Sequence, residues 1–405
     1  MTWPIPQMQV CKAPTRPRFV LWAALFMILL PVGLSLTVLF WPEQTPVKSP
    51  QFLSLAVGAP IVFFLLLLGL RLYVFDRSKF RYRLLTEERV RLHSLWSKWA
   101  SREMQVMAVA SVTPMELTPE QWSLGDGLPV SIGRAVRFEA KKVPGNANLA
   151  RAKILIERLI EQMAETIARL PKDAALEVLF VLSEPAADQF ELLKPFWSEA
   201  WQKRARTSSS GLQSPTRALS ERTTISQLFE LLEQRPERAV LLVAIQLSAM
   251  DGESSLYSEG ATAFLVRPPE YLARSSWPQA HAVLYRPQQA KGDNLRAQLQ
   301  QIREFQPAYE KVRHFWHSGV TAKAVSEMRN VLNDTPASKD KSQSWHEVDA
   351  VLGIPGPLNA WIALGWSVAV AKIGRVAQLL AVANAADGET SLCIVSPHNS
   401  NEITQ

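Results

Sequence analysis

Ala239-Val-Leu-Leu-Val-Ala-Ile245 is an unbroken apolar run, and Val178-Leu-Phe-Val-Leu182 is a second one. A strand with one wet face alternates apolar and polar side chains, because successive residues point to opposite faces. Runs without alternation therefore mark strands covered on both faces. Each run follows a helical pattern. Before Val178, residues 148–170 place Leu149, Ile154, Leu155, Leu159, Ile160, Met163, Ile167 and Leu170 on one stripe. Before Ala239 comes a shorter helix, Ser226 to Arg235. Helices alternating with buried strands imply a layered α/β domain with a mostly parallel central sheet.

The same reading extends outward. Met104 to Val112, Val136 to Ala140, Thr262 to Val266, Val376 to Ala383 and Ser391 to Val395 read as strands. Phe190 to Arg204, Ala297 to His317 and Ala322 to Leu332 read as helices. Gly125-Asp-Gly127 and Asp251-Gly-Glu253 read as turns, and Ser208 to Pro215 as a loop. Asp334 to Glu347, with Lys339-Asp-Lys341 inside it, reads as a polar loop. Ala360 to Gly374 is strongly apolar, but it contains Lys372 and is too short to cross a bilayer, so it reads as a helix buried on all sides.

Two other stretches are long enough to cross one. Phe19 to Trp41 and Phe52 to Leu70 contain no charged residue, and about 20 apolar residues span the hydrocarbon. Only a short loop joins them, which implies a two-helix transmembrane hairpin. Lys12, Arg16 and Arg18 precede the first run, and Arg71, Arg77, Lys79, Arg81 and Arg83 follow the second. Cations mark the cytoplasmic flanks, so the N-terminus and the main domain are both expected in the cytoplasm. A cleaved signal peptide fits less well, because Trp41-Pro42-Glu43 lacks small residues at the boundary. The expected organisation is an N-terminal segment over 1–18, the hairpin over 19–75 and a helical connector over 76–103. The α/β domain follows over 104–397 and a tail over 398–405.

Residues 1–83 hold nine Lys and Arg against Glu43 and Asp76, which accounts for the whole net charge of +7. The remaining 35 basic and 35 acidic residues cancel. The basic excess lies where anionic headgroups are, and no broad basic surface is left for nucleic acid. A channel built from the hairpin is disfavoured, since neither span carries a charge to line a path. Cys11 and Cys393 provide no disulfide framework, and Cys393 reads as a small buried strand residue.

No Walker loop, GxSxG elbow, HExxH or strand-borne GxGxxG is present. The histidines are His93, His281, His314, His317, His346 and His398. His314 and His317 stand i, i+3 in a segment read as an amphipathic helix, without the Cys or carboxylate that a metal site needs. His346-Glu347, in a polar loop, could supply a general base, yet no nucleophile is identified to receive its help. No metal or cofactor is expected.

Ser258-Glu-Gly-Ala-Thr-Ala-Phe-Leu-Val266 resembles the run that leads into a core strand in thiolase-like and β-ketoacyl-synthase folds. The tail is similar too. Asn333-Asp-Thr335, Gly353-Ile-Pro-Gly-Pro-Leu-Asn-Ala360, the apolar helix to Ala371, Gly374 and two last strands look like the final third of those enzymes. The resemblance covers roughly 104–397 in element order. Those enzymes attack an acyl thioester with a Cys at a helix start, flanked by histidines. Here the equivalent helix begins near Arg222-Thr-Thr-Ile-Ser226, without Cys, and the turn Gly353-Ile-Pro-Gly356 lacks the His. The resemblance thus implies a scaffold whose catalytic centre is dismantled.

A membrane hairpin carrying a silent α/β domain is also similar in layout to accessory proteins of bacterial type VI secretion, including adaptors for lipase effectors. The expectation is a non-catalytic interaction or adaptor protein in the bacterial inner membrane, with the bilayer and a protein such as a secreted effector as partners. The alternative is an acyl-transfer or acyl-hydrolysing enzyme of thiolase-like fold, with His346, Glu347 and Asp334 as its polar centre. Oligomeric state is left open.

Overall fold

A computed structural model describes residues 3–6, 12–42, 46, 49–138, 147–171, 176–205, 215–248, 256–268, 277–291, 294–333, 343–383 and 388–398. Cys11, Asp334 and the segments Asp251-Gly-Glu253 and Lys339-Asp-Lys341 fall outside them. The chain divides into two compact units: Ile5–Leu95, and Met1–Pro4 together with Trp96–Gln405.

The smaller unit is helical. α1 is Phe19–Leu39, and α2 (Pro50–Leu53), a π turn over Ser54–Gly58 and α3 (Ala59–Ala100) form one continuous helix. Ser49 caps α2, its Oγ accepting from the Phe52 amide at 3.2 Å, and Pro50 sits at the first helical position, where a missing N–H does no harm. Pro60 has no N–H to offer the Ala56 carbonyl, and the helix widens into the π turn just before it. α1 packs on that turn, with Phe26 4.9 Å and Trp22 6.2 Å from the Phe64 ring. Both helices are long and apolar enough to cross a membrane, and their apolar stretches are almost wholly exposed, unlike those of a soluble core helix.

The larger unit holds one mixed sheet. Its strands are β1 (Glu103–Val112), β2 (Leu176–Leu182), β3 (Thr216–Leu219), β4 (Ala239–Gln246), β5 (Gly260–Arg267) and β6 (Ala282–Tyr285). β7 (Gln288–Lys291), β8 (Val312–Ser318), β9 (Ser344–Glu347), β10 (Ala377–Ala383) and β11 (Glu389–Pro397) complete it. The order is β3-β2-β4-β5-β1-β6-β11-β10-β8-β9, with β7 paired to β11. The expectation of a mostly parallel sheet is corrected. β2 is parallel to β3 and β4, and β8 to β9 and β10, but β5 runs antiparallel to β4 and β1, and β11 to β10, β6 and β7.

The order contains a duplication. Numbered within each half, β1 to β5 lie as 3-2-4-5-1, and β6, β8, β9, β10 and β11 lie as 3-2-4-5-1 again. In each half the fifth strand is the antiparallel one, and β1 meets β6 where the halves join.

Helices α4 (Pro119–Leu124), α5 (Ala147–Ala168), α6 (Glu184–Ala187), α7 (Phe190–Ala205), α8 (Ile225–Gln234) and α9 (Leu295–Phe305) connect the strands, with α10 (Ala322–Asn333), α11 (Val348–Leu352) and α12 (Asn359–Gly374). α5 and α7 cover one face of the first half through Leu155, Leu159, Met163, Trp197 and Trp201. The opposite face joins a core shared with the second half, in which α8 and α12 lie against Leu242, Phe264, Trp316, Leu380 and Cys393. α12 is largely buried from Asn359 to Ala371, as its composition implied, while its last turn, Lys372 to Gly374, is exposed.

Three local readings are corrected. Ala297 to His317 is not one helix: α9 ends at Phe305, a 3-10 turn spans Pro307–Lys311, and Val312–Ser318 is β8. Pro307 cannot continue the helical ladder, and Val312-Arg-His-Phe-Trp-His317 is β-branched and aromatic. Val136 to Phe138 is not a strand; only Ala135 forms a bridge, to Gly353. Ser344–Glu347 is β9 and not part of a polar loop. Short β3, β6 and β7 were not legible as strands.

Candidate functional site

α8 starts where the resemblance placed a catalytic helix. Thr224 caps it: its Oγ1 accepts from the Gln227 amide at 3.3 Å, and Gln227 Oε1 accepts from the Thr224 amide at 2.8 Å. This reciprocal box satisfies two amides that the helix leaves open. A cavity of about 890 Å³ opens at this end, lined by Arg222, Thr224, Ser226, Gln227, Phe229 and Glu230 from α8 and its approach. Trp3, Trp99, Arg286 and the Lys291–Glu389 pair line the remaining wall.

Arg286 organises that wall. Its guanidinium lies 4.0 Å from the Trp99 ring centroid and 5.0 Å from that of Phe229. Its Nε donates to the Trp99 carbonyl at 3.1 Å, and it forms an ion pair with Glu233. Two ring faces and a carboxylate thus fix the position of this guanidinium. On the same wall, Lys291 Nζ meets Glu389 Oε1 at 2.8 Å. Among the described residues that line the cavity, none is Cys or His. Cys393 lies fully buried in β11, and burial pushes its thiol up to about 12.

Of the residues singled out in the sequence, Asp334 lies outside the described residues, and His346 and Glu347 lie on β9, apart from this lining. His346 faces the shared core, with its ring 4.3 Å from Trp316 and its Nε2 2.8 Å from His314 Nδ1. Glu347, next along β9, pairs in register with His317 on the opposite face. Burial, and then the neighbouring His314, push His346 down to about 4. His314 is likewise lowered by burial. Burial thus disfavours the charged form of both rings, which face each other across one N–H···N hydrogen bond. His317 stands beside a separate cluster in which Asp349 accepts from the Ser318 hydroxyl and, at 2.6 Å, from the Gly319 amide, while Asn359 donates to Ser318. That cluster ties the end of β8 to α11 and to the start of α12. Among the described residues no three His, Cys, Asp or Glu side chains group as a metal site.

Sequence reading missed Trp3, Trp99, Phe229 and Arg286. Nothing local distinguishes them, since they meet only through the pairing of distant segments.

No family model matches the chain, and no curated protein does. Solved structures do. The twelfth ketosynthase of the bacillaene polyketide synthase of Bacillus amyloliquefaciens superposes with a TM-score of 0.51 at 10% identity, covering 74% of each chain. The ketosynthase from module 1 of the bacillaene synthase of Bacillus amyloliquefaciens FZB42 gives 0.51 at 10% identity, covering 75% of this chain and 73% of that one. The larger unit therefore has a thiolase-like α/β fold. At 10% identity this likeness is one of fold.

Proposed function

We propose that the larger unit binds an acyl thioester in the cavity at the start of α8, and that the two apolar helices hold it at a membrane. One observation carries the reading: a cavity of about 890 Å³ lies at the very helix start where the resemblance puts acyl attack. That volume falls within the range of ligand pockets, roughly 300–1,000 Å³. The walls suit an amphiphile, with Trp99 and Phe229 for a chain and Arg222, Glu230 and Lys291 for a polar head.

The lining argues for binding without thiol chemistry. Ser and Thr hydroxyls are weak nucleophiles unless a base stands beside them, and the Thr224 hydroxyl is already engaged as a cap. This favours a second element of the proposal, an adaptor that recognises an acyl-bearing partner at the inner membrane, of which a type VI effector is one form.

The test uses the full chain in lipid nanodiscs with hexanoyl-coenzyme A. The expected result is saturable binding above empty discs, weakened about tenfold or more by Glu230→Trp, with no thiol released. Thiol release that disappears in Ser226→Ala would replace the adaptor with an enzyme. Absence of saturable binding sinks the proposal.

A further inference from the structure

Trp3 stands before the first apolar helix in sequence, yet Met1–Pro4 belongs to the α/β unit. Trp3 is 6% exposed. The Trp3 amide donates to Gln288 Oε1 at 3.0 Å, and the indole Nε1 donates to the Pro287 carbonyl at 2.9 Å. The ring meets Trp99 edge-on at 5.9 Å. Gln288 is itself held by Gln298 and by Gln301, the latter accepting at 2.9 Å, so its carbonyl oxygen is aimed before Trp3 arrives. The receptor for this indole is thus built from β7, α9 and the end of α3, and Trp3 and Pro4 close one side of the cavity.

Two features separate this from ordinary core packing. Among the described residues the attachment consists of two hydrogen bonds and one aromatic contact, few ties for a segment to break when it opens. The surface it covers is the apolar part of the cavity, Trp99 with Arg286 stacked on it. An amphipathic indole is a fair mimic of a ligand with an apolar body and a polar tip.

We infer that Trp3 is a displaceable plug: its indole occupies the subsite on Trp99 that an acyl chain takes, and plug and ligand exclude each other. This rests on the acyl-binding reading above. Binding to a site that is open a fraction of the time is weakened by that fraction. A plug seated about nine-tenths of the time masks affinity about tenfold.

The experiment compares the full chain with Trp3→Ala and Trp3→Phe in nanodiscs, using hexanoyl-coenzyme A and equilibrium dialysis. Trp3→Ala is expected to bind about tenfold more tightly, with Trp3→Phe between it and the parent. A synthetic peptide of residues 1–7 added to Trp3→Ala should compete, whereas the same peptide carrying Ala at position 3 should not. Equal or weaker binding by Trp3→Ala, or no competition by the peptide, overturns the plug and leaves the cavity reading standing. No binding by any of the three proteins instead removes the cavity reading and the plug with it. Thermal melts of both variants show whether the unit remains folded.

Discussion

At His346 two forces act in one direction. Burial disfavours the imidazolium, and the facing His314 adds repulsion, so the folded value lies near 4, below the ordinary 6.5 or so of an unfolded chain. Between these values the unfolded chain binds a proton that the folded chain refuses. Stability is therefore flat above pH ~6.5 and falls as pH drops toward ~4, by an order of about 3 kcal/mol from this residue. Urea unfolding at pH 7, 6, 5 and 4.5 checks it, and a stability that rose on acidification would contradict it. His346→Gln should flatten part of the slope while lowering stability at pH 7 by about 1–2 kcal/mol, because His314 loses its partner. The residue was visible in the sequence; its setting was not. Ser344-Trp-His-Glu347 is polar enough to read as loop, and four residues are too few to display a period of two.

α12 was legible as an element because fifteen apolar-rich residues between a Gly/Pro turn and Gly374 leave little alternative. What composition does not convey is how near it runs to the sheet. A Cβ on Gly365 would stand 2.5 Å from Ser111 Oγ and would collide with Thr262 Oγ1, which donates to the Ala110 carbonyl at 2.9 Å. Alanine is the better helix former by about 1 kcal/mol. Gly365→Ala should nevertheless destabilise, by about 1–3 kcal/mol, because forcing atoms into a packed core outweighs propensity. Pairing it with Thr262→Ala should recover part of the loss in chemical denaturation. Stabilisation by Gly365→Ala alone would mean that the helix does not lie this close. β8 failed in the opposite way: with both faces covered it offers no alternation, and His314 and His317 at i, i+3 suit a helix equally well.

For the whole molecule, long-range pairing set the limit of sequence reading. The doubled 3-2-4-5-1 order depends on β1 meeting β5 and on β6 meeting β11, contacts that no local pattern encodes. The cavity inherits that limit, since its walls come from both halves of the sheet. Charge, by contrast, is additive along the chain and needs no pairing to be read. Confining the net +7 to residues 1–83 places cations at both outer flanks of the apolar pair, with Lys48 balanced by Glu43 between the spans. If those cations orient the helices, positions 11 and 44 lie on opposite sides of the membrane. A membrane-impermeant maleimide applied to cells with a permeabilised outer membrane should leave Cys11 unlabelled until the inner membrane is opened. A Gln44→Cys variant should label at once. Cys393 serves as an internal control, because it is fully buried and stays silent in both conditions until the protein is denatured. Immediate labelling at Cys11 with silence at position 44 would invert the topology and put the α/β unit outside the cytoplasm. An acyl thioester drawn from the cell interior would then have no route to the cavity.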